Sequence, residues 1–115
     1  MDTHETSTYY VYMPPTSAQL SAFLRRLRAA VDSGCVELTA NAIGGARDLG
    51  WTAEDIRWQL AELSQEDFLR IEDSTAPEGG RIWVFLPEMP EEGHLWIRLT
   101  ERRGIVVISF HRGDP

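Results

Sequence analysis

Residues 94–111 read HLWIRLTERRGIVVISFH, and their pattern is the clearest indication of the fold. In residues 94–100 apolar side chains alternate with polar or aromatic ones, which is the two-residue period of a strand with one buried face. Residues 105–111 are rich in β-branched residues, and the four residues between the two runs, ERRG, are typical of a tight hairpin. The stretch therefore predicts two neighbouring antiparallel strands.

The chain before this hairpin predicts one more strand and three helices. Residues 81–86 (RIWVFL) form the further strand-like run. Apolar residues at helical spacing, each series preceded by a threonine that can cap a helix, predict helices over 17–32, 40–49 and 53–63. Gly44-Gly45 lowers the helix propensity of the second segment, although small residues there would allow close backbone packing.

Helices that precede an antiparallel meander are typical of an α+β fold, with N-terminal helices packed on a C-terminal antiparallel sheet. At 115 residues the chain is expected to form a single domain, 1–115. Within it we expect an N-terminal arm or edge strand over 1–15, a mainly helical part over 16–72 and the meander over 81–111. The segment Glu62–Asp73 is interpreted as a solvated acidic face.

Three smaller features complete the expected architecture. Cys35–Leu38 is predicted to be an extended connector between the first two helices. Ser64 with Asp67 predicts a turn or short helix that leads to Phe68 and Ile71. Three tryptophans are expected to pack in the core or against helices: Trp51, Trp58 and Trp83.

The charge of the chain is unevenly distributed. Eighteen acids and eleven arginines, with no lysine, give a net charge of −7. Residues 1–80 contain thirteen acids and six arginines and account for the whole deficit, whereas residues 81–115 contain five of each. A globally basic surface for nucleic acid is therefore excluded, but the C-terminal part can still present a local positive patch.

Several functional classes find no support in the residue pattern. Three dispersed histidines and the single Cys35 offer no metal-binding spacing, and no glycine-rich phosphate loop is present, so we expect no metal and no cofactor. The longest apolar run, Ile105 to Ile108, is far too short for a membrane helix. No secretion signal is recognised and one cysteine suits a reducing compartment, so we expect a cytoplasmic protein without membrane contact.

The polar face of the predicted hairpin offers one candidate site. Trp96 and Arg98 project to the same side of their strand, and the turn brings His111 beside them. An aromatic ring can stack a base, an arginine can neutralise a phosphate and a histidine can move a proton, a set that suits RNA cleavage. The simpler interpretations are a tryptophan packed under a loop, an arginine paired with a glutamate and a surface histidine.

A family resemblance adds to this interpretation. The segments that carry it are, in chain order, Val31-Asp-Ser-Gly34-Cys-Val36; Leu38-Thr39 with Ala42, Ala46 and Leu49-Gly50; Leu63-Ser64-Gln-Glu-Asp67-Phe68; Ile82-Trp83; Leu95-Trp96-Ile97-Arg98-Leu99; and Val107-Ile108-Ser109-Phe110-His111. In their common order and spacing they make residues 27–111 resemble the MqsR family of type II toxin–antitoxin toxins. Those toxins are mRNA interferases with a RelE-like fold.

The resemblance implies site residues, and this chain departs from the family pattern at several of them. Arg70 and Arg98 stand where lysines are typical, so the charge is kept. Val84 replaces a glutamine and has no hydrogen-bonding side chain. Trp96 replaces a tyrosine and lacks its hydroxyl, and His111 stands at the position of a basic residue.

The resemblance implies an endoribonuclease that cleaves RNA without metal through a 2′,3′-cyclic phosphate and that a cognate antitoxin protein neutralises. The candidate residues are Arg70, Arg98 and His111 for catalysis, and Trp96, Arg102 and Arg103 for substrate binding. The alternative, favoured by the net charge and by the Val84 and Trp96 departures, is a catalytically inactive acidic RelE-like binding or inhibitor protein. The RNA sequence recognised, ribosome dependence, the identity of the antitoxin and the oligomeric state stay open.

Overall fold

Three helices and a six-stranded sheet make up the part of the chain that the computed structural model describes, residues 14–74, 80–91 and 93–113. The helices are α1 (Ser17–Ser33), α2 (Ala40–Asp48) and α3 (Ala53–Ala61). The strands are β1 (Val36–Leu38), β2 (Phe68–Asp73), β3 (Arg81–Phe85), β4 (Glu88–Met89), β5 (Gly93–Glu101) and β6 (Ile105–Arg112), and a 3-10 turn, Gln65–Asp67, precedes β2. The predicted α+β fold is confirmed.

Each helix begins at a threonine that satisfies a free backbone N–H. The Thr16 side chain accepts from the N–H of Gln19, and Thr39 and Thr52 cap α2 and α3 in the same way. Gly34 ends α1 in the left-handed conformation, with φ of 78°. The three predicted helices are confirmed to within two residues at each end.

The sheet is mixed rather than wholly antiparallel. Its order is β1-β6-β5-β3-β2, and β4 pairs with the beginning of β5. The meander of β3, β5 and β6 is antiparallel, as predicted. The expected connector at Cys35–Leu38 contains strand β1, which runs parallel to β6 with Val36 opposite Ile105. Val36 is buried there, so the pairing also covers apolar surface.

Strand β2 lies at the end of residues 16–72, the part predicted to be mainly helical, and within Glu62–Asp73, which was interpreted as a solvated acidic face. Phe68 pairs with Phe85 and Arg70 pairs with Val84, which leaves Leu69 as an extra residue in a bulge. The bulge lets two apolar residues three positions apart, Phe68 and Ile71, both pack against the core. That three-residue spacing hides the two-residue period of the strand.

A second bulge lies in β6. Arg98 pairs with Ser109 and Leu99 pairs with Val107, so Ile108 is the extra residue. The side chain of Asn41 donates to the carbonyl oxygen of Ile108 at 3.1 Å. The hydroxyl of Thr39 lies 2.9 Å and 3.0 Å from the carbonyl oxygens of Val107 and Ile108. The beginning of α2 therefore supplies the hydrogen bonds that the bulged backbone lacks.

The hydrophobic core lies between the helices and one face of the sheet. Phe23 of α1 stacks on Trp83 of β3, with ring centroids 4.1 Å apart and planes inclined by 8°. Trp51 packs against Phe110 at 5.6 Å. Trp51 and Trp83 thus pack as predicted, whereas Trp58 does not, because 65% of its surface is exposed on α3. Most of the predicted N-terminal arm lies outside the described residues.

Gly45 allows α2 to approach β6 closely. A Cβ at this position would overlap the carbonyl oxygen of Phe110 and would lie 3.1 Å from Cβ of His111. Gly44, one residue earlier, has open space at the same point. The close backbone packing that small residues make possible is therefore confirmed at Gly45.

Candidate functional site

The sheet face opposite the helices brings the predicted residues together in two adjacent rows. The first row crosses four strands through cross-strand partners, and its members are Arg70, Val84, Arg98 and Ser109. In the second row Trp96 is paired with His111. Because Trp96 is two residues from Arg98 on β5, the rows are about 7 Å apart and their side chains point to the same side.

Glu72 connects the two arginines of the first row. Its Oε2 accepts from Nε and Nη2 of Arg70 at 2.9 Å and 2.7 Å. Its Oε1 lies 2.9 Å from Nη2 of Arg98. Two guanidinium groups and one carboxylate leave a single net positive charge at this place. We call Arg70, Glu72, Trp96, Arg98 and His111 the sheet-face cluster.

Arg70 also contacts the second row. The carbon of its guanidinium lies 5.3 Å from the centre of the Trp96 ring, which is within the range of a cation–π interaction. Trp96 is half-buried, so one part of the indole remains accessible. The guanidinium of Arg70 is thereby held by the carboxylate of Glu72 and by the indole ring at the same time.

Val84 lies between the two arginines of the first row and is fully buried. An apolar side chain thus occupies the position where the family resemblance implies a polar one. In the described part of the chain, Nε of Arg98 is a buried donor without a hydrogen-bond partner. A side chain with an oxygen atom at position 84 would be able to accept a hydrogen bond from this donor.

The ring of His111 is oriented by the backbone. Its Nδ1 lies 2.8 Å from the carbonyl oxygen of Arg112. A carbonyl only accepts, so Nδ1 is the donor, and the neutral ring keeps its lone pair on Nε2. The side chain is exposed, which leaves Nε2 accessible to a ligand.

Arg102 and Arg103 do not join the sheet-face cluster. They form the turn after β5, beside a cavity of about 230 Å³ that is also bordered by Cys35. Six residues of extended chain separate Arg102 from Trp96, a distance of about 20 Å along the strand direction. Their predicted role in substrate binding requires a ligand that extends to this end of the sheet.

Among the described residues, no group of three or more His, Cys, Asp or Glu side chains is arranged to hold a metal ion. None of the helices in the described ranges is long and apolar enough to cross a membrane.

Sequence reasoning missed Glu72, which it assigned to a solvated acidic face. Its side chain is only 22% exposed, and its carboxylate lies between the two arginines. The signal that would have found it is the two-residue step from Arg70, which puts both side chains on one face of a strand. That signal was hidden by the interpretation of residues 16–72 as mainly helical.

Residues 20–112 match the model of the family described as motility quorum-sensing regulator, toxin of MqsA. The match includes α1 from its fourth residue onward, the other two helices and all six strands described above. This α+β protein is therefore a toxin of the toxin–antitoxin class. Within that class the chain belongs to the MqsR toxin family, and the resemblance found in the sequence is confirmed. No curated protein matches the chain.

Proposed function

We propose that this protein is an mRNA interferase that cleaves RNA without a metal ion. The observation that supports it is the convergence of two arginines, an indole ring and an imidazole in two adjacent rows of one sheet face. In the proposed reaction a ribose 2′-oxygen attacks the neighbouring phosphorus. The products are a 2′,3′-cyclic phosphate and a 5′-hydroxyl end.

Four residues of the sheet-face cluster and the two arginines of the turn have parts in this proposal. Arg70 and Arg98 bind the phosphate oxygens and stabilise the charge that develops during attack. Trp96 stacks on a base next to the cleaved bond. His111 accepts the proton of the 2′-hydroxyl through Nε2. Arg102 and Arg103 contact the RNA further along its backbone.

The proposal includes a protein partner. The matched family is described as the toxin of MqsA, which supports an antitoxin partner for this chain as well. We propose that a cognate antitoxin neutralises the activity, and that the protein acts in the cytoplasm, where mRNA is present. Co-expression with the adjacent open reading frame tests the first point, because growth is expected to recover only when the antitoxin is produced.

Cleavage of a mixed-sequence RNA by the purified protein tests the activity. We expect wild-type protein to produce 2′,3′-cyclic phosphate ends, and we expect a chelator to leave the rate unchanged. His111→Ala is expected to lower the rate by about 10²–10⁴-fold, the usual contribution of a proton-transfer group. Circular dichroism controls for folding. Cleavage that survives in His111→Ala would contradict the role of His111.

One observation favours the second candidate, an inactive acidic binding protein. Glu72 pairs with both arginines, which reduces the positive charge of the cluster in a chain that already has a net charge of −7. Absence of cleavage by wild-type protein at high concentration, together with binding to a basic partner protein, would favour this candidate over the nuclease.

A further inference from the structure

A second imidazole lies next to the sheet-face cluster. His94 is on β5, two residues before Trp96, and its half-buried side chain is on the same face of the sheet. The backbone N–H of Gly113 donates to the carbonyl oxygen of His94 at 3.1 Å, which continues the β5–β6 ladder beyond Arg112. Gly113 is therefore directly opposite His94, and His111 is its diagonal neighbour.

The register sets the spacing of the two histidines, because Cβ atoms of diagonal neighbours in an antiparallel pair are about 7–8 Å apart. A Cβ at Gly113 would lie 3.3 Å from Cβ of Trp96, 3.6 Å from Cε1 of His111 and 3.7 Å from Nδ1 of His111, so Trp96 and His111 border the end of β6 closely.

We propose that His94 and His111 form an acid–base pair that flanks the scissile phosphate of RNA. This inference rests on the proposed nuclease function and adds the proton donor that the reaction needs. A phosphate between two imidazoles contacts one nitrogen of each ring, and two side chains whose Cβ atoms are about 7–8 Å apart on one face can both reach it. Trp96 is the cross-strand partner of His111 and is two residues from His94 on β5, so it borders the pair and is placed to stack on the adjacent base.

The step is balanced in atoms and protons. His111 removes the proton from the 2′-hydroxyl through Nε2, and the 2′-oxygen forms a bond to phosphorus. The bond from phosphorus to the 5′-oxygen breaks, and protonated His94 gives its proton to that oxygen. The products are a 2′,3′-cyclic phosphate and a 5′-hydroxyl. A proton exchange with water restores the two imidazoles.

Charged groups from each neighbouring strand surround this pair. Glu88 on β4 is the cross-strand partner of His94. Arg98 is four residues further along β5 on the same face, and Arg70 reaches the Trp96 ring from β2. Glu88 is therefore beside the proposed acid in the sheet, and the two arginines approach the scissile phosphate from the other side of Trp96.

A substrate that needs no acid separates the role of His94 from a structural role. We expect His94→Ala to cleave ordinary RNA about 10²–10⁴-fold more slowly than wild type. Replacement of the 5′-oxygen at the mapped cleavage site by sulfur creates a thiolate leaving group that departs without protonation. His94→Ala is expected to cleave this RNA at close to the wild-type rate, whereas His111→Ala is expected to remain slow on both substrates.

His94→Asn provides a second variant in case the alanine variant does not fold, and it is expected to behave like His94→Ala. Binding of an RNA with 2′-methoxy groups, which cannot react, is expected to be unchanged in both variants. If His94→Ala and His94→Asn cleave ordinary RNA at the wild-type rate, the inference is wrong and the nuclease proposal stands. If they are slow on the sulfur substrate too, His94 is not the acid. If wild type cleaves neither RNA, both proposals fail.

Discussion

Two adjacent glycines of α2 offer a matched test of the packing that places His111. Gly44 and Gly45 are both inside the helix, so alanine at either position gives the same gain in helix propensity. Only at Gly45 would the new methyl group meet the carbonyl oxygen of Phe110. The difference between the two variants therefore isolates the contact between α2 and β6.

The expected sizes follow from these surroundings. Gly44→Ala, with nothing within 4 Å of the new Cβ, is expected to raise the free energy of unfolding by about 0.5–1 kcal/mol. Gly45→Ala receives the same gain but forces α2 away from β6, and such overpacking costs about 1–3 kcal/mol. The second variant is therefore expected to be less stable than the first by about 1–3 kcal/mol, which is several degrees in melting temperature.

Urea unfolding followed by circular dichroism measures both free energies on the same scale. RNA cleavage is a second measurement, because the Cβ at position 45 would also lie 3.1 Å from Cβ of His111. We expect Gly45→Ala to cleave more slowly and Gly44→Ala to match wild type. Equal free energies of unfolding for the two variants would refute the close approach of α2 to β6.

Three further predictions concern the charges. Glu72→Gln is expected to bind single-stranded RNA more tightly at low salt and to steepen the slope of log K against log salt concentration by about 0.7, because an arginine no longer paired with Glu72 contacts one more phosphate and displaces its counterions. An unchanged slope with weaker binding would instead make Glu72 a positioning residue. Arg98→Ala is expected to lower the cleavage rate strongly, and Arg98→Lys is expected to recover only part of that rate, since lysine keeps the charge but lacks the bidentate fork. Arg25→Ala, on the exposed side of α1, is the control and is expected to cleave at the wild-type rate. Alanine at both Arg102 and Arg103 is expected to weaken the binding of a long RNA but not that of a trinucleotide, because these arginines are remote from Trp96. Fluorescence anisotropy measures both affinities, and equal weakening for the two ligands would contradict the separation between these arginines and Trp96.

Local sequence patterns determined most of the architecture. The threonine caps, the apolar spacing and Gly34 predicted the helices because these signals act within a few residues of chain. The alternation of residues 94–100 predicted β5, and it placed Trp96 and Arg98 on one face before any tertiary contact was known. The order of helices before the meander was sufficient for the α+β class, and the ordered segments were sufficient for the family.

Only the tertiary structure decided which side chains meet. The extra residues Leu69 and Ile108 each shift the alternation of a strand by one position. Without the bulge at Ile108, His111 would share a face with the buried Val107 and point into the core rather than stand beside Trp96. A bulge is set by the partner strand and by hydrogen bonds from α2, which lies far away in the sequence. Local propensity depends only on residues that are near one another in the chain, so it does not predict such contacts. For this reason the cluster around Glu72 is visible only in the tertiary structure.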